Sequence, residues 1–236
     1  MARARDGEPG PVWFVTTEQT AGRGRRQRPW IAPRGNLASS ILEVMDVAPG
    51  VAATLGFAAG LALDAALRQV TLEAAVRSGA AVSFALKWPN DVLAEGKKIS
   101  GILLEVEHLP GGLAVVTGMG TNVVAFPEGT PATSLAALGV QVSAEDLFAA
   151  LSDAWVEFRG IWDNGRGFAQ IRRLWLARAA GLGQAVAVVL GGSTIEGIFD
   201  TIDEQGCMII QTPAGKRMPV SAGDVHFGTA ASRRTS

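Results

Sequence analysis

The densest cluster of chemistry-bearing residues is EQTAGRGRRQRPW, Glu18 to Trp30. It sets Arg23, Arg25, Arg26 and Arg28 among glycines, directly after a short apolar run, Trp13–Thr17, that reads as a strand. Glycines let backbone N–H groups approach an anion closely, and guanidinium forks grip phosphate or carboxylate through paired hydrogen bonds. Three uses fit these residues: a small phosphate ligand, a nucleic acid, or a solvated basic loop. The segment is neither G-x-x-x-x-G-K-[ST] nor a G-x-G-x-x-G that opens a helix, so ordinary P-loop and Rossmann readings fail. A second cluster is KWPNDVLAEGKKISGILLE, Lys87 to Glu105. A period-two strand, with Val82, Phe84 and Leu86 alternating with Ser83, Ala85 and Lys87, delivers Lys87, Asn90 and Asp91 into a loop stiffened by Pro89. The Gly96-Lys97-Lys98 turn returns the chain to a second strand, so an amide, a carboxylate and several ammonium groups share one end of adjacent strands. Charged hairpin tips are ordinarily solvated and inert, but Trp-Pro-Asn-Asp is too idiosyncratic for that reading. The third signal is GMGTNV, Gly118 to Val123, a strand ending in close glycines and Asn122.

The elements that must position these residues alternate between strand and helix. Leu37–Val44 reads as a strand. Pro49 and Gly50 open an alanine-rich helical segment to about Gly79, with Val51, Leu55, Ala58, Ala62, Ala65 and Ala66 at helical spacing. Strands around Gly101–Glu107 and Leu113–Thr117 pair across Pro110-Gly111-Gly112. Ser143 and Asp146 make a capping pair for a helix whose apolar stripe is Leu147, Leu151, Trp155, Phe158 and Trp162. A further helix, about Phe168–Ala180, is stopped by Gly181. Tryptophans at this spacing read as core, not as a ligand box. After Gly183 the pattern changes to short strands, Ala185–Leu190, Thr194–Thr201, Cys207–Thr212 and Arg217–Val220. They are separated by Gly191-Gly192, Asp203-Glu204-Gln205-Gly206 and Pro213-Ala214-Gly215, which suits a small barrel of the SH3 type. The expected division is 1–182, 183–228, and a frayed tail, Thr229–Ser236.

Composition narrows the class. In 236 residues, 48% are hydrophobic and 18% charged, which allows a sizeable core and excludes wholesale disorder. A net charge of −1 argues against a chain-wide basic surface for nucleic acid. One cysteine, Cys207, excludes an intramolecular disulfide and a multi-cysteine zinc site, and two histidines make a histidine-rich metal centre unsupported. Mean hydropathy is +0.24, yet the longest uncharged stretch, His108 to Pro127, is broken by Pro110, Gly111, Gly112, Gly118 and Gly120, so no membrane span is expected there. MARARDGEPGPVW has no apolar core of the signal-peptide kind, and a cytoplasmic location is the expectation.

Taken together, the three motifs resemble those of the biotin protein ligases within the biotin/lipoate ligase superfamily. TAGRGRRQRPW is similar to the family's arginine-glycine loop, KWPNDVLAEGKKISGILLE to its second motif and GMGTNV to its third, with APRGNL at Ala32–Leu37 between them. The resemblance spans about Val12 to Phe227. It implies an α/β (α+β) fold: a mixed-sheet, class II synthetase-like catalytic domain followed by an SH3-like domain. It implies that biotin and ATP condense to biotinyl-5′-AMP with Mg²⁺, and that the biotinyl group passes to a lysine of a biotin carboxyl-carrier domain. On this resemblance Gln19 meets the ureido ring, and Gly24 and Arg25 contact the acyl-adenylate. Trp30 packs against adenine, Lys98 meets the reacting acyl-phosphate oxygens, and Asn122 lies at the nucleotide. Arg25, Lys98 and Asp91 are the implied catalytic residues, Asp91 orienting or deprotonating the acceptor amine. Gly22, Arg23, Lys87, Asn90, Gly101 and Gly118 complete the implied contacts, with no side-chain metal ligand assigned. With no helix-turn-helix pattern read before the matching region, no DNA partner is expected; no membrane partner is implied, and a homodimer is allowed. A lipoate or octanoate ligase on the same scaffold, a non-catalytic ligase-like binder and an RNA-binding module are the competing readings.

Two departures stand out. The family loop carries glycine where this chain has Gln27; if that position needs positive φ, glutamine costs about 1–2 kcal/mol. The family also has a Ser-Thr-Asn strand and a helix before the segment matching Trp13, and ARARDGEPGP reads as the end of that helix and its exit turn. A start about 20–30 residues upstream is therefore expected. The given chain should bind biotin more weakly than an extended one, by about 2–4 kcal/mol for two or three lost contacts.

Overall fold

The computed structural model describes residues 1–78, 81–190 and 193–228. A one-turn helix, α1 (Ala2–Arg5), ends in a turn, as read from ARARDGEPGP, and is held to the body by Arg5, whose guanidinium donates twice to Glu107 at 2.7 Å. Then come β1 (Val12–Thr16), β2 (Gln19–Arg23), β3 (Pro29–Ala32) and β4 (Leu37–Met45). The alanine-rich segment divides into α2 (Pro49–Ala53) and α3 (Leu55–Ser78). The break falls at Thr54, whose hydroxyl turns back to the Val51 carbonyl and accepts from the Trp162 indole at 2.8 Å. Next are β5 (Phe84–Lys87), β6 (Asp91–Ala94), β7 (Lys97–Leu109) and β8 (Gly112–Thr121), then α4 (Ala144–Trp162) and α5 (Phe168–Leu176). The carboxyl-terminal part is β9 (Ala185–Leu190), β10 (Ser193–Ile202), β11 (Met208–Gln211), β12 (Arg217–Val220) and β13 (Asp224–Phe227).

Six strands form the main sheet in the order β1-β4-β8-β7-β6-β5. All its ladders are antiparallel, and the mixed character expected of it is confined to two isolated parallel bridges, Leu86 with Ala179 and Lys98 with Ala132. The reason is connectivity: tight turns join β5 to β6, β6 to β7 and β7 to β8, and hairpins are antiparallel by construction. Helices α3, α4 and α5 cover one face. Alanines at 58, 59, 62 and 66 are fully buried and let α4 approach α3 closely, while α4 presents Leu147, Leu151, Trp155, Phe158 and Trp162 to the core. The tryptophans are core, as their spacing predicts, and the Ser143–Asp146 capping box forms. Residues 49–72 are long and apolar enough to cross a membrane by length and composition, but 72% of the most apolar window is buried inside the protein.

A second sheet, order β12-β11-β10-β9-β13, is antiparallel throughout, as a small SH3-like barrel requires, and buries Val186, Val188, Phe199, Ile210 and Val225. Strand β13 has no counterpart in the sequence reading, because the alternation in Asp224-Val225-His226-Phe227 lasts only four residues and buries Val225 alone. The tail Thr229–Ser236, and the breakers Gly191-Gly192 and Gly79, lie outside the described residues.

Candidate active site

Strands β2 and β3 pair as a separate two-stranded hairpin on the sheet face opposite the helices. The arginine-glycine segment is thus a hairpin with a 3₁₀ tip, Arg25–Gln27, where the sequence suggested an irregular loop. Its glycines and arginines lack the apolar alternation by which strands are read. The hairpin docks through Trp30. Gly101 and Gly120 are directly paired across β7 and β8; a Cβ on Gly120 would run into the Trp30 indole, and one on Gly101 would stand 3.4 Å from it. Two missing side chains therefore make the slot in which the indole lies.

Two cavities adjoin there. One, of about 210 Å³, is lined by Gln19, Ala21 and Arg23 of the hairpin and by Ser39, Ser40, Gly101, Glu105, Gly118 and Gly120 of the sheet. The other, of about 410 Å³, is lined by Arg25, Arg28, Pro29, Ile31, Asn90, Asp91, Asn122, Pro127, Pro131 and Asp224. Gly24, Trp30 and Lys98 line both, so they stand at the junction. Together the cavities have the size of a small-molecule site, roughly 300–1,000 Å³.

Lys98 reaches the junction because of a bulge. In β6–β7 the register runs Val92 with Ser100, then Leu93 with Lys98, leaving Ile99 as the extra residue. Residues 98 and 101 would otherwise point to opposite faces; the bulge puts both on the site side and sends Ile99 into the core, fully buried. The Lys98 ammonium lies 2.6 Å from Asp91 Oδ1 and 5.5 Å from the Trp30 ring centre. The Lys98 backbone is fixed on both sides, donating to the Pro131 carbonyl at 3.0 Å and accepting from the Thr133 N–H at 2.9 Å.

The remaining cations are also held by partners. Arg25 donates to Asn90 Oδ1 at 3.1 Å, and Asn90 in turn donates to the Ile102 carbonyl at 2.7 Å. Burial lowers the Arg25 pKa, the neighbouring Arg26 charge adds to this, and Asp224 and Asp91 oppose it. Arg23 approaches Glu105 at 4.0 Å. Lys87 lines neither cavity: its ammonium packs 5.5 Å from the Phe227 ring centre, and burial lowers its pKa. Gly22 is likewise off the cavities, tucked against the Trp30 carbonyl and the Gln19 amide.

Asn122 is 2% exposed; its amide donates to the Thr133 carbonyl at 3.0 Å, and its buried Oδ1 has no partner among the described residues. The Trp30 indole N–H is likewise buried and unpaired. Gln27 has φ +59 and Arg26 φ +56, so the glutamine does sit in the left-handed region. Asp224 of β13, Ser39, Ser40 and Asn36 were not singled out by sequence reasoning. Asn36 Oδ1 accepts from the N–H groups of Val123, Val124 and Ala125 at 3.0, 3.0 and 3.2 Å, which fixes the segment after Asn122. Gly-Asn before a strand was the available signal. Nothing in the sequence pointed to Asp224, nearly 200 residues away.

The profile of the biotin/lipoate A/B protein ligase family matches residues 8–122, and that of the biotin protein ligase C-terminal domain matches residues 181–228. The chain is 39% identical over 228 residues to the biotin–[acetyl-CoA-carboxylase] ligase of Paracoccus denitrificans, covering 93% of this chain and 91% of that one. The enzyme of the same name from Mycobacterium tuberculosis is 37% identical, over 95% and 82% of the two chains. The fold is shared with a biotin protein ligase from Aquifex aeolicus in complex with biotin and ATP, at a TM-score of 0.76 and 24% identity over 96% and 94% of the chains. Full-length similarity at that level, over both the catalytic motifs and the small carboxyl-terminal sheet, means that the chain belongs to the biotin/lipoate A/B protein ligase family.

Proposed function

We propose that this chain is an ATP-dependent biotin protein ligase, which condenses biotin with ATP to biotinyl-5′-AMP and then transfers the biotinyl group to a lysine of a biotin carboxyl-carrier domain. The observation that carries the reading is the junction: two adjoining cavities that share Gly24, Trp30 and Lys98. A carboxylate ligand in one and a nucleotide in the other would bring their reactive ends together beside an ammonium group. The names of the relatives support the same reaction, and a biotin protein ligase of the same fold from Leishmania major, at TM-score 0.57, is known in complex with biotinyl-5-AMP.

The residues fit both ligands. Gln19 offers an amide donor and acceptor at the first cavity, as a ureido ring needs. The second cavity has apolar walls from Pro29, Ile31, Pro127 and Pro131, and the unpaired Asn122 Oδ1 suits an amino group on a flat base. Among the described residues no group of three or more His, Cys, Asp or Glu could hold a metal. Mg²⁺ would enter with the nucleotide as MgATP, held through phosphate oxygens and water.

In the first step a biotin carboxylate oxygen attacks the α-phosphorus and pyrophosphate leaves. Two anions must meet, so the protein's task is neutralisation and alignment. Arg23, Arg25 and Lys98 supply positive charge around the junction. In the second step the acceptor amine attacks the acyl carbon and AMP leaves. A free lysine has a pKa near 10.4, so its proton needs an acceptor, and Asp91, in the second cavity beside Lys98, would take or orient it. We also propose the division of labour 1–182 for catalysis and 183–228 for the small sheet, supported by the start of β9 at Ala185.

The test is incubation of the chain with biotin, MgATP and a biotin carboxyl-carrier domain, following pyrophosphate release and transfer to lysine. No adenylate and no transfer would sink the reading. Lipoate added in competition separates the two ligand classes; Gln19 and the match to the biotin protein ligase C-terminal domain favour biotin.

A further inference from the structure

We infer that Asp224, on the second sheet, is a positioning residue for the arginine-glycine hairpin, and that its clamp offsets the strain of carrying glutamine at position 27. Its functional consequence rests on the ligase reading above; its geometry does not.

Arg26 and Gln27 occupy the left-handed region in succession, which L-residues other than glycine avoid because Cβ crowds the backbone. The tip holds no buried residue that could anchor it. Its backbone closes through Gly24 N–H to the Arg28 carbonyl at 2.7 Å and Arg28 N–H to the Arg25 carbonyl at 3.2 Å. Among the described residues, side-chain tethers from outside the hairpin reach 25–28 at two points. Asn90 takes Arg25, and Asp224 Oδ2 takes Arg26 at 3.0 Å and Arg28 at 2.7 Å. One carboxylate oxygen thus bridges the residues on either side of Gln27.

Asp224 is itself fixed by the β13–β9 ladder, opposite Val189. Burial alone would raise its carboxyl, but the Arg28 hydrogen bond and the charges of Arg28, Arg26 and Arg25 hold it below the usual carboxylate range. Asp224 also lines the second cavity, so the clamp acts where the nucleotide would lie. The small sheet, then, does more than sit beside the catalytic part: it sets the shape of the tip that carries Arg25.

The experiment uses the full chain with Asp224→Asn, Asp224→Glu, Gln27→Gly and the Asp224→Asn/Gln27→Gly pair. Trypsin cuts after arginine, and mass spectrometry reads the rate of cutting within 23–28 against all other sites. Asp224→Asn should speed loop cleavage about three- to tenfold with little change elsewhere, and Asp224→Glu should stay within about twofold of the parent. Gln27→Gly should bring the double variant back to within about twofold, because glycine no longer needs the clamp. With biotin and MgATP, Asp224→Asn should release a larger fraction of biotinyl-5′-AMP to solvent while forming it at a rate closer to the parent's, and Gln27→Gly should restore retention. Loop cleavage of Asp224→Asn equal to the parent's, or additive effects in the double variant, would overturn the inference. A parent that makes no adenylate would refute the ligase reading instead, and the cleavage rates would still decide the clamp.

Discussion

Replacing Lys98 by alanine removes one ammonium group from the junction and little else. The side chain is 35% exposed, so its loss opens no core cavity, although Asp91 Oδ1, a buried oxygen, loses the cation 2.6 Å from it. The effect on chemistry is larger. A unit charge about 4 Å from a developing negative charge, at an effective dielectric near 20, is worth up to ~4 kcal/mol. Loss of one preorganised donor to such a charge typically costs about 10²–10³ in rate. Arg23 and Arg25 remain and water enters the vacated space, so the lower end, about 10², is expected for adenylation. Transfer from supplied biotinyl-5′-AMP should fall less than about tenfold, because Asp91 then stands free to meet the acceptor amine. Single-turnover pyrophosphate release measures the first step and carrier labelling with preformed adenylate the second. Adenylation within twofold of the parent would refute the placement of Lys98 at the reacting atoms, and equal losses in both steps would assign it to ligand binding alone.

Arg25→Ala should let the acyl-adenylate escape, since alanine cannot hold the phosphate–acyl junction; the expected result is more biotinyl-5′-AMP in the filtrate and indiscriminate lysine labelling. Gly120→Ala puts a methyl group into the Trp30 slot and should weaken biotin binding by about 1–3 kcal/mol with little change in thermal midpoint, measured by calorimetry and a melting scan. Asn36→Ala strips the acceptor from three backbone N–H groups, of which Val124 is partly reachable by water, and should cost about 2–3 kcal/mol in urea unfolding. Asp224 has a lowered folded pKa, so its contribution is complete above the ordinary aspartate value of 3.8 and is lost as pH falls through the lower folded value. Protection of the tip from an acid-active protease should therefore persist to about pH 4 and disappear below it, and should be pH-independent over that range in Asp224→Asn.

Helices α4 and α5 were legible because each buries one face, and burial writes a period into the sequence. Helix α3, with no exposed residue from 55 to 67, was legible through its alanine content. Leu147, Leu151, Trp155, Phe158 and Trp162 mark the core side of α4, and Ala185–Leu190 and Arg217–Val220 coincide with β9 and β12. The hairpin β2–β3 was not legible as strands, because it buries almost nothing and so carries no apolar alternation. The bulge at Ile99 was equally hidden: no residue type marks it, yet it decides which face Lys98 takes. The candidate residues carried by local motifs line the two cavities, except Lys87 and Gly22, which lie outside them. Asp224 escaped because its partners are distant in sequence and an isolated aspartate in a short strand carries no pattern.

One arrangement ties the site together. The cations around the two cavities are each held by an oxygen acceptor: Arg23 by Glu105, Arg25 by Asn90, Arg28 by Asp224 and Lys98 by Asp91. Left unpaired, positive groups so close would repel one another and pull the hairpin from the sheet. Paired, they stand assembled before any ligand arrives, so little reorganisation remains when polyphosphate enters. The exposed pairs are individually weak, about 0–1 kcal/mol, whereas charge-assisted hydrogen bonds to phosphate are roughly twice as strong as neutral ones. On the proposed mechanism, exchange of the first kind for the second would be downhill, and it would free Asp91 for the step in which the acceptor amine loses its proton. On that reading the ion pair that holds Lys98 beforehand would link the two proposed half-reactions in time.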